Sequence, residues 1–203
     1  MSFFQFKLYF LVIRSVFIPV VFLLIFVIPL NLIAGEAFGP SDIELKQLPG
    51  YCTDKLRGNN REKLLPIFGN DWVHLHHYCF ALNFVKRANM EIRNEIKRKF
   101  HLKRAGDNFQ YMIDATTPEF VLMPELYVKY GKLLEKQGHT TRAIDLYMRS
   151  IKFKPDYVKA YAALGDFFKV NGDIEQARKF LEMGLKQKPK SRSLKRRISR
   201  LSK

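Results

Sequence analysis

The C-terminal half of the chain repeats itself at a spacing of 34 residues. Tyr127, Gly131, Ala143, Tyr147 and Pro155 are followed 34 positions later by Tyr161, Gly165, Ala177, Leu181 and Pro189, and each copy carries a further glycine, Gly138 and Gly172. A period of this length marks an array of stacked units, none of which can bury its apolar face alone. The residue types identify the unit as a helix hairpin. Gly131 or Gly165 lets the second helix approach closely, Ala143 or Ala177 supplies the opposing contact, and larger side chains fill the remainder. Pro155 and Pro189 stop the second helix of each unit, because proline cannot continue the hydrogen-bond ladder.

The pattern resembles the tetratricopeptide repeat, which places an aromatic, Leu-Gly, a second aromatic, alanines and a closing proline at fixed offsets over 34 residues. The second copy reads Tyr161, Leu164, Gly165, Phe168, Ala177, Leu181, Gly184, Pro189; the first reads Tyr127, Tyr130, Gly131, Leu134, Ala143, Tyr147, Ser150, Pro155, with Tyr130 and Ser150 as departures. The resemblance covers residues 124–190 and implies helices over 124–137, 140–153, 158–171 and 174–187. It also implies a right-handed α-α superhelix. An array normally needs about three units, with atypical ends. Trp72, Leu75, Cys79, Leu82 and Val85 recur at helical spacing, so residues 71–123 read as a divergent first hairpin. Leu194, Ile198 and Leu201 form an i, i+4, i+7 stripe, so residues 191–203 read as a basic capping helix. The expectation is an all-α fold of about three hairpins plus a cap, preceded by a hydrophobic N-terminal helix and, over residues 38–70, an extended linker.

Residues 15–34 contain no charge in twenty positions, and the only cations before them are Lys7 and Arg14. Twenty residues rise about 30 Å as a helix, the thickness of a bilayer core, which fits a retained anchor. Gly35-Glu36-Ala37 also fits cleavage of a signal peptide after Ala37. Both readings of residues 1–37 place the N-terminus in the cytoplasm and send residues 38–203 across the membrane, since cations precede the segment and Glu36, Asp42 and Glu44 follow it. The expected location is therefore an inner membrane with the domain in the periplasm, or the periplasm itself. Cys52 and Cys79 make an even pair in a compartment where a disulfide persists, and closing their loop contributes roughly 3.5 kcal/mol.

Motifs for catalysis are missing: the sequence has no Gly-rich phosphate loop, HExxH, GxSxG or CxxCH. No catalytic residue and no cofactor is expected. The densest set of potential ligands is His74, His76, His77 and Cys79. On a helix His74 and His77 share a face, but the spacing matches no established metal motif, and a Cys52–Cys79 bond competes for the thiol. A periplasmic metal-binding or redox-linked factor stands as the alternative function on this cluster.

The resemblance implies a non-catalytic scaffold for protein-protein interaction, here in assembly of an envelope complex such as a pilus, secretion or cell-wall machine. It also implies which residues line a concave groove: Glu125, Val128, Lys132 and Glu135 in the first unit, Lys159, Ala162, Asp166 and Lys169 in the second. Relatives that clamp a peptide's terminal carboxylate carry Lys where Val128 and Ala162 stand, so a helical or extended partner segment is the broader expectation.

The net charge of +16 falls to +15 without residues 1–37, and nine of those charges sit in the last eighteen residues, which contain no acid. A second run, Lys86 to Arg104, holds eight cations against Glu91 and Glu95. Export removes nucleic acid as the counterpart; a nucleic-acid binder is the reading that applies if the chain is not exported. The tail, through Lys195, Arg196, Arg197 and Arg200, is expected to meet an anionic surface, with membrane phospholipid ahead of acidic protein.

Overall fold

In the computed structural model residues 38–201 are described; the expected anchor or signal, residues 1–37, lies outside them. The helices in chain order are α1 (Asp42–Leu45), α2 (Gly50–Arg57), α3 (Arg61–Phe68), α4 (Leu75–Met90), α5 (Glu95–Ala115), α6 (Met123–Lys136), α7 (Thr140–Phe153), α8 (Val158–Val170), α9 (Ile174–Gln187) and α10 (Arg192–Ser199), with a 3-10 turn over Gly69–Val73. Among the described residues there is no strand, and no helix is long and apolar enough to cross a membrane.

Three hairpins, α4/α5, α6/α7 and α8/α9, form the body, and α6 also touches α8 directly. Small residues set these contacts. A Cβ added to Gly131 would lie 2.5 Å from Tyr147 Cε1, and one on Gly165 would lie 2.5 Å from Leu181 Cδ2. Ala143 and Ala177, fully buried, face the same interfaces. The turns between paired helices are alike in both units. Gly138 and Gly172 each have φ +82°, the left-handed region that glycine enters without steric cost. In both, the next residue's N–H donates back to the helix, His139 to Leu134 O and Asp173 to Phe168 O, each at 2.9 Å.

The departure at Ser150 has a local reason. Its buried hydroxyl donates to the Pro124 carbonyl at 2.9 Å, at the start of α6. The equivalent residue of the second unit, Gly184, is instead packed so tightly that a Cβ would lie 2.6 Å from Tyr161 Cβ and 2.9 Å from Leu194 Cδ1. Leu194 and Leu201 of the cap close the apolar end of the array with Tyr161, Ala177 and Leu181.

Residues 38–70 differ from the expected extended linker: they carry α1, α2 and α3 and cover the first hairpin. Leu45, Leu48, Cys52 and Phe68 are buried in the same core as Leu75, Tyr78 and Phe109. Arg87 on α4, nearly buried, pairs in two-pronged fashion with Glu44, Nε to Oε1 at 2.6 Å and Nη2 to Oε2 at 2.8 Å. Glu44 also accepts from the Ser41 N–H at 2.7 Å. The Arg87 guanidinium, helped by Ser41, holds the Glu44 carboxyl down at about 2. Cys52 on α2 is bonded to Cys79 on α4, both sulfurs wholly shielded. Asp71 accepts from the Thr117 N–H at 2.9 Å and its hydroxyl at 2.7 Å, tying the 3-10 turn to the loop after α5.

Candidate binding surface

The first helix of each repeat unit presents one face to a concavity of about 560 Å³, and the loop and helix after Pro189 close its far side. Val128, Ala162, Tyr157 and Val158 make its apolar part, with Val128 and Ala162 buried as floor. Around them stand Lys129, Lys132, Lys159, Lys188, Lys190 and Arg197, against a single lining carboxylate, Glu125. Glu125 lies 3.6 Å from Lys129, and Lys188 lies 3.9 Å from Asp156. Lys132, Lys159 and Lys190 have no carboxylate partner among the described residues. The electrostatic result is a cationic concavity rather than one of mixed charge.

Lys129 and Lys132 also line a second hollow of about 290 Å³, walled by Leu82, Val85, Leu102 and Leu133 and edged by Lys86 and Lys136. The two hollows share those lysines, so one basic, apolar-floored surface continues from α4 to α10.

Of the eight residues that the repeat pattern assigns to the groove, Glu125, Val128, Lys132, Lys159 and Ala162 line the larger concavity. The other three are engaged elsewhere. Glu135 accepts from the Tyr147 hydroxyl at 2.8 Å, and burial, together with this contact, pushes the tyrosine well above its usual range. Asp166 takes both prongs of Arg197, at 2.8 and 3.0 Å, and Lys169 donates to the Arg200 carbonyl at 2.8 Å. Thus α10 lies along the part of the face that α8 would otherwise offer, leaving a small hollow of about 190 Å³ among Asp166, Lys169, Arg196, Arg197 and Arg200. Lys129, Tyr157, Lys188 and Lys190 are among the eight lining residues that the repeat positions do not name. The turn at Pro189 that folds the tail back is the signal that bears on Lys188 and Lys190.

The tail cations are accordingly divided. Lys195, Arg196 and Arg200 are exposed, whereas Arg197 is held by Asp166 and by Ser193 Oγ at 2.6 Å.

The three histidines lie near one another, the His76 and His77 ring centroids 4.3 Å apart, but each Nδ1 has a different partner. His74 Nδ1 lies 3.0 Å from the Tyr111 hydroxyl, His76 Nδ1 2.9 Å from the Val73 carbonyl and His77 Nδ1 2.8 Å from Asn108 Oδ1. Burial, then the neighbouring His77, depresses the His76 pKa. Cys79 is turned inward to Cys52, and among the described residues no group of three or more His, Cys, Asp or Glu is placed to hold a metal.

No curated protein sequence matches the chain. Solved structures similar to it include the first TPR of Spaghetti (RPAP3) bound to an HSP90 peptide, 18% identical, covering 60% of this chain and 92% of that one, TM-score 0.43. The second TPR domain of human RPAP3 in complex with an HSP70 peptide is 18% identical over 63% and 98% of the two chains, TM-score 0.42. The crystal structure of MamA is 20% identical over 72% and 83%, TM-score 0.42. Residues 125–198 match the tetratricopeptide repeat. Over that segment, which runs from α6 to α10, the chain is similar to the tetratricopeptide repeat family.

Proposed function

We propose that the protein is a non-catalytic scaffold that holds an acidic segment of a partner protein along the surface between α4 and α10. Tetratricopeptide repeat domains are generally protein-protein interaction scaffolds. The observation that carries the reading is the concavity at Lys129 and Lys132: six cations against one carboxylate, around the apolar floor of Val128 and Ala162. Such a surface favours an extended or helical segment that alternates carboxylates with apolar side chains.

The site of action in this reading is the cell envelope, in assembly of a multiprotein complex. Residues 15–34 tether the chain to the inner membrane, or direct it to the periplasm with cleavage near Ala37, and the exposed tail cations Lys195, Arg196 and Arg200 add attraction to an anionic surface. The paired cysteines support an oxidising compartment.

Site-specific photocrosslinking tests the reading. A photoreactive side chain at Lys132, on the concave face, is expected to capture a discrete partner from membranes, and Lys129→Glu with Lys190→Glu is expected to abolish the capture. The same probe at Arg149, exposed on α7, is the control. Equal capture from both positions, or capture indifferent to the charge reversals, contradicts it.

A further inference from the structure

We infer that the tip of the first hairpin, from Met90 to Phe100, is a second membrane contact that docks on an anionic lipid surface. Large apolar side chains are concentrated there and point to solvent: Met90 is 64% exposed, Ile92 84%, Ile96 84% and Phe100 52%. Ile96 and Phe100 are four apart at the start of α5 and lie on one face, with Ile92 in the turn just before them. Elsewhere the exposed large apolar residues near helix ends come singly or in pairs, such as Leu65 with Ile67 and Val170 with Ile174, and single exposed ones need no partner. Four within eleven residues form a patch.

The surroundings of the patch select lipid. Arg93, Lys97, Lys99 and Lys136 stand around it; Lys136 donates to Asn89 Oδ1 at 2.8 Å, which brings the end of α6 beside the tip. Glu91 and Glu95 offset part of this charge, at 3.9 Å from Lys97 and 3.5 Å from Lys99. The long cationic side chains reach outward while the apolar ones insert, the arrangement by which amphipathic segments sit at the headgroup level. The basic tail lacks this pairing, since Leu194 and Leu201 are buried in the cap. An apolar segment at residues 15–34 would also keep the domain close to a bilayer, so weak contacts at the tip act at high local concentration.

This inference rests on the reading that residues 15–34 hold the chain at a membrane, and the test separates the two. Trp72 is the only tryptophan and is buried, so Ile92→Trp adds a reporter at the tip over a constant background. The full chain and this variant are reconstituted with neutral phosphatidylcholine vesicles or phosphatidylglycerol-containing vesicles, each with and without brominated acyl chains. Flotation reads the anchor; quenching of the new tryptophan reads the tip. The expected result is flotation with both lipids and quenching of Ile92→Trp at least about twofold stronger on anionic vesicles, reduced to background by Arg93→Glu with Lys97→Glu and Lys99→Glu. Flotation without quenching leaves the anchor and overturns the tip contact. Equal quenching on both lipids overturns its anionic selectivity. A concentration-dependent blue shift without lipid assigns the patch to a second copy of the chain and overturns the proposal, and failure to float overturns both readings.

Discussion

Arg197 of the C-terminal helix grips Asp166 of α8 with two hydrogen bonds, 2.8 and 3.0 Å, and so holds the cap against the concave side of the second repeat unit. The pair is half open to solvent, 29% and 48% for the two side chains, so its contribution to global stability is only about 1 kcal/mol. Its effect is local. Arg197→Ala is expected to raise hydrogen exchange in α10 by about tenfold while leaving α6 and α7 protected, because Leu194 still anchors the cap. Uniform loss of protection across the repeats contradicts this.

The hairpin contacts predict opposite signs for two glycine substitutions. Gly131→Ala forces a methyl group to within 2.5 Å of the Tyr147 ring and is expected to destabilise by about 2 to 3 kcal/mol. Gly106→Ala, in the middle of α5, meets Leu133 Cδ2 at 3.7 Å and Tyr130 Cε2 at 3.9 Å, both ordinary contacts, and is expected to be neutral or to stabilise by up to about 1 kcal/mol. Urea melts of the two variants measure the contrast.

The two units also differ at the start of their second helices. Asp173 caps α9 by accepting from the Gln176 N–H at 3.0 Å, while His139 makes no side-chain cap on α7, although its φ and ψ, −84° and 61°, are close to the −87° and 78° of Asp173. His139→Asp is therefore expected to gain about 1 kcal/mol, read as a raised thermal midpoint. An unchanged midpoint would show that the first unit does not tolerate the cap.

These equivalences explain what was legible in the sequence. Gly131, Gly138, Ala143 and Pro155 each act within one hairpin, so their 34-residue recurrence carries the geometry of both units. Residues 38–70 have no such periodicity: Pro49, Gly50, Gly58 and Pro66 punctuate short segments that read as a linker, and their helices are fixed instead by distant partners, Glu44 with Arg87 and Cys52 with Cys79. The groove divides in the same way. Positions on α6 and α8 follow from the repeat, but Asp166 and Lys169 are covered by a helix some thirty residues downstream, a contact that no local spacing encodes.

Glu44 predicts a pH dependence in acid. Its folded pKa, about 2, lies below the ordinary 4.5, so the stability it contributes is complete above about pH 5 and is lost as pH falls toward 2. The loss is expected to reach about 3 kcal/mol. Glu44→Gln is expected to destabilise the protein at pH 7 and to differ less and less from the unmodified protein as pH falls below 4.5; denaturant melts across this range measure it, and a difference independent of pH contradicts the assignment.

The central claim is that the basic concavity around Val128 and Ala162 recognises acidic protein segments. Fluorescence anisotropy with two labelled peptides, one alternating Glu with Leu and one alternating Gln with Leu, tests it most directly. The predicted result is binding of the acidic peptide at least about tenfold tighter, weakened by salt and by Lys129→Glu with Lys132→Glu. Equal affinity for the two peptides, or acidic-peptide binding that survives both lysine reversals, would contradict it.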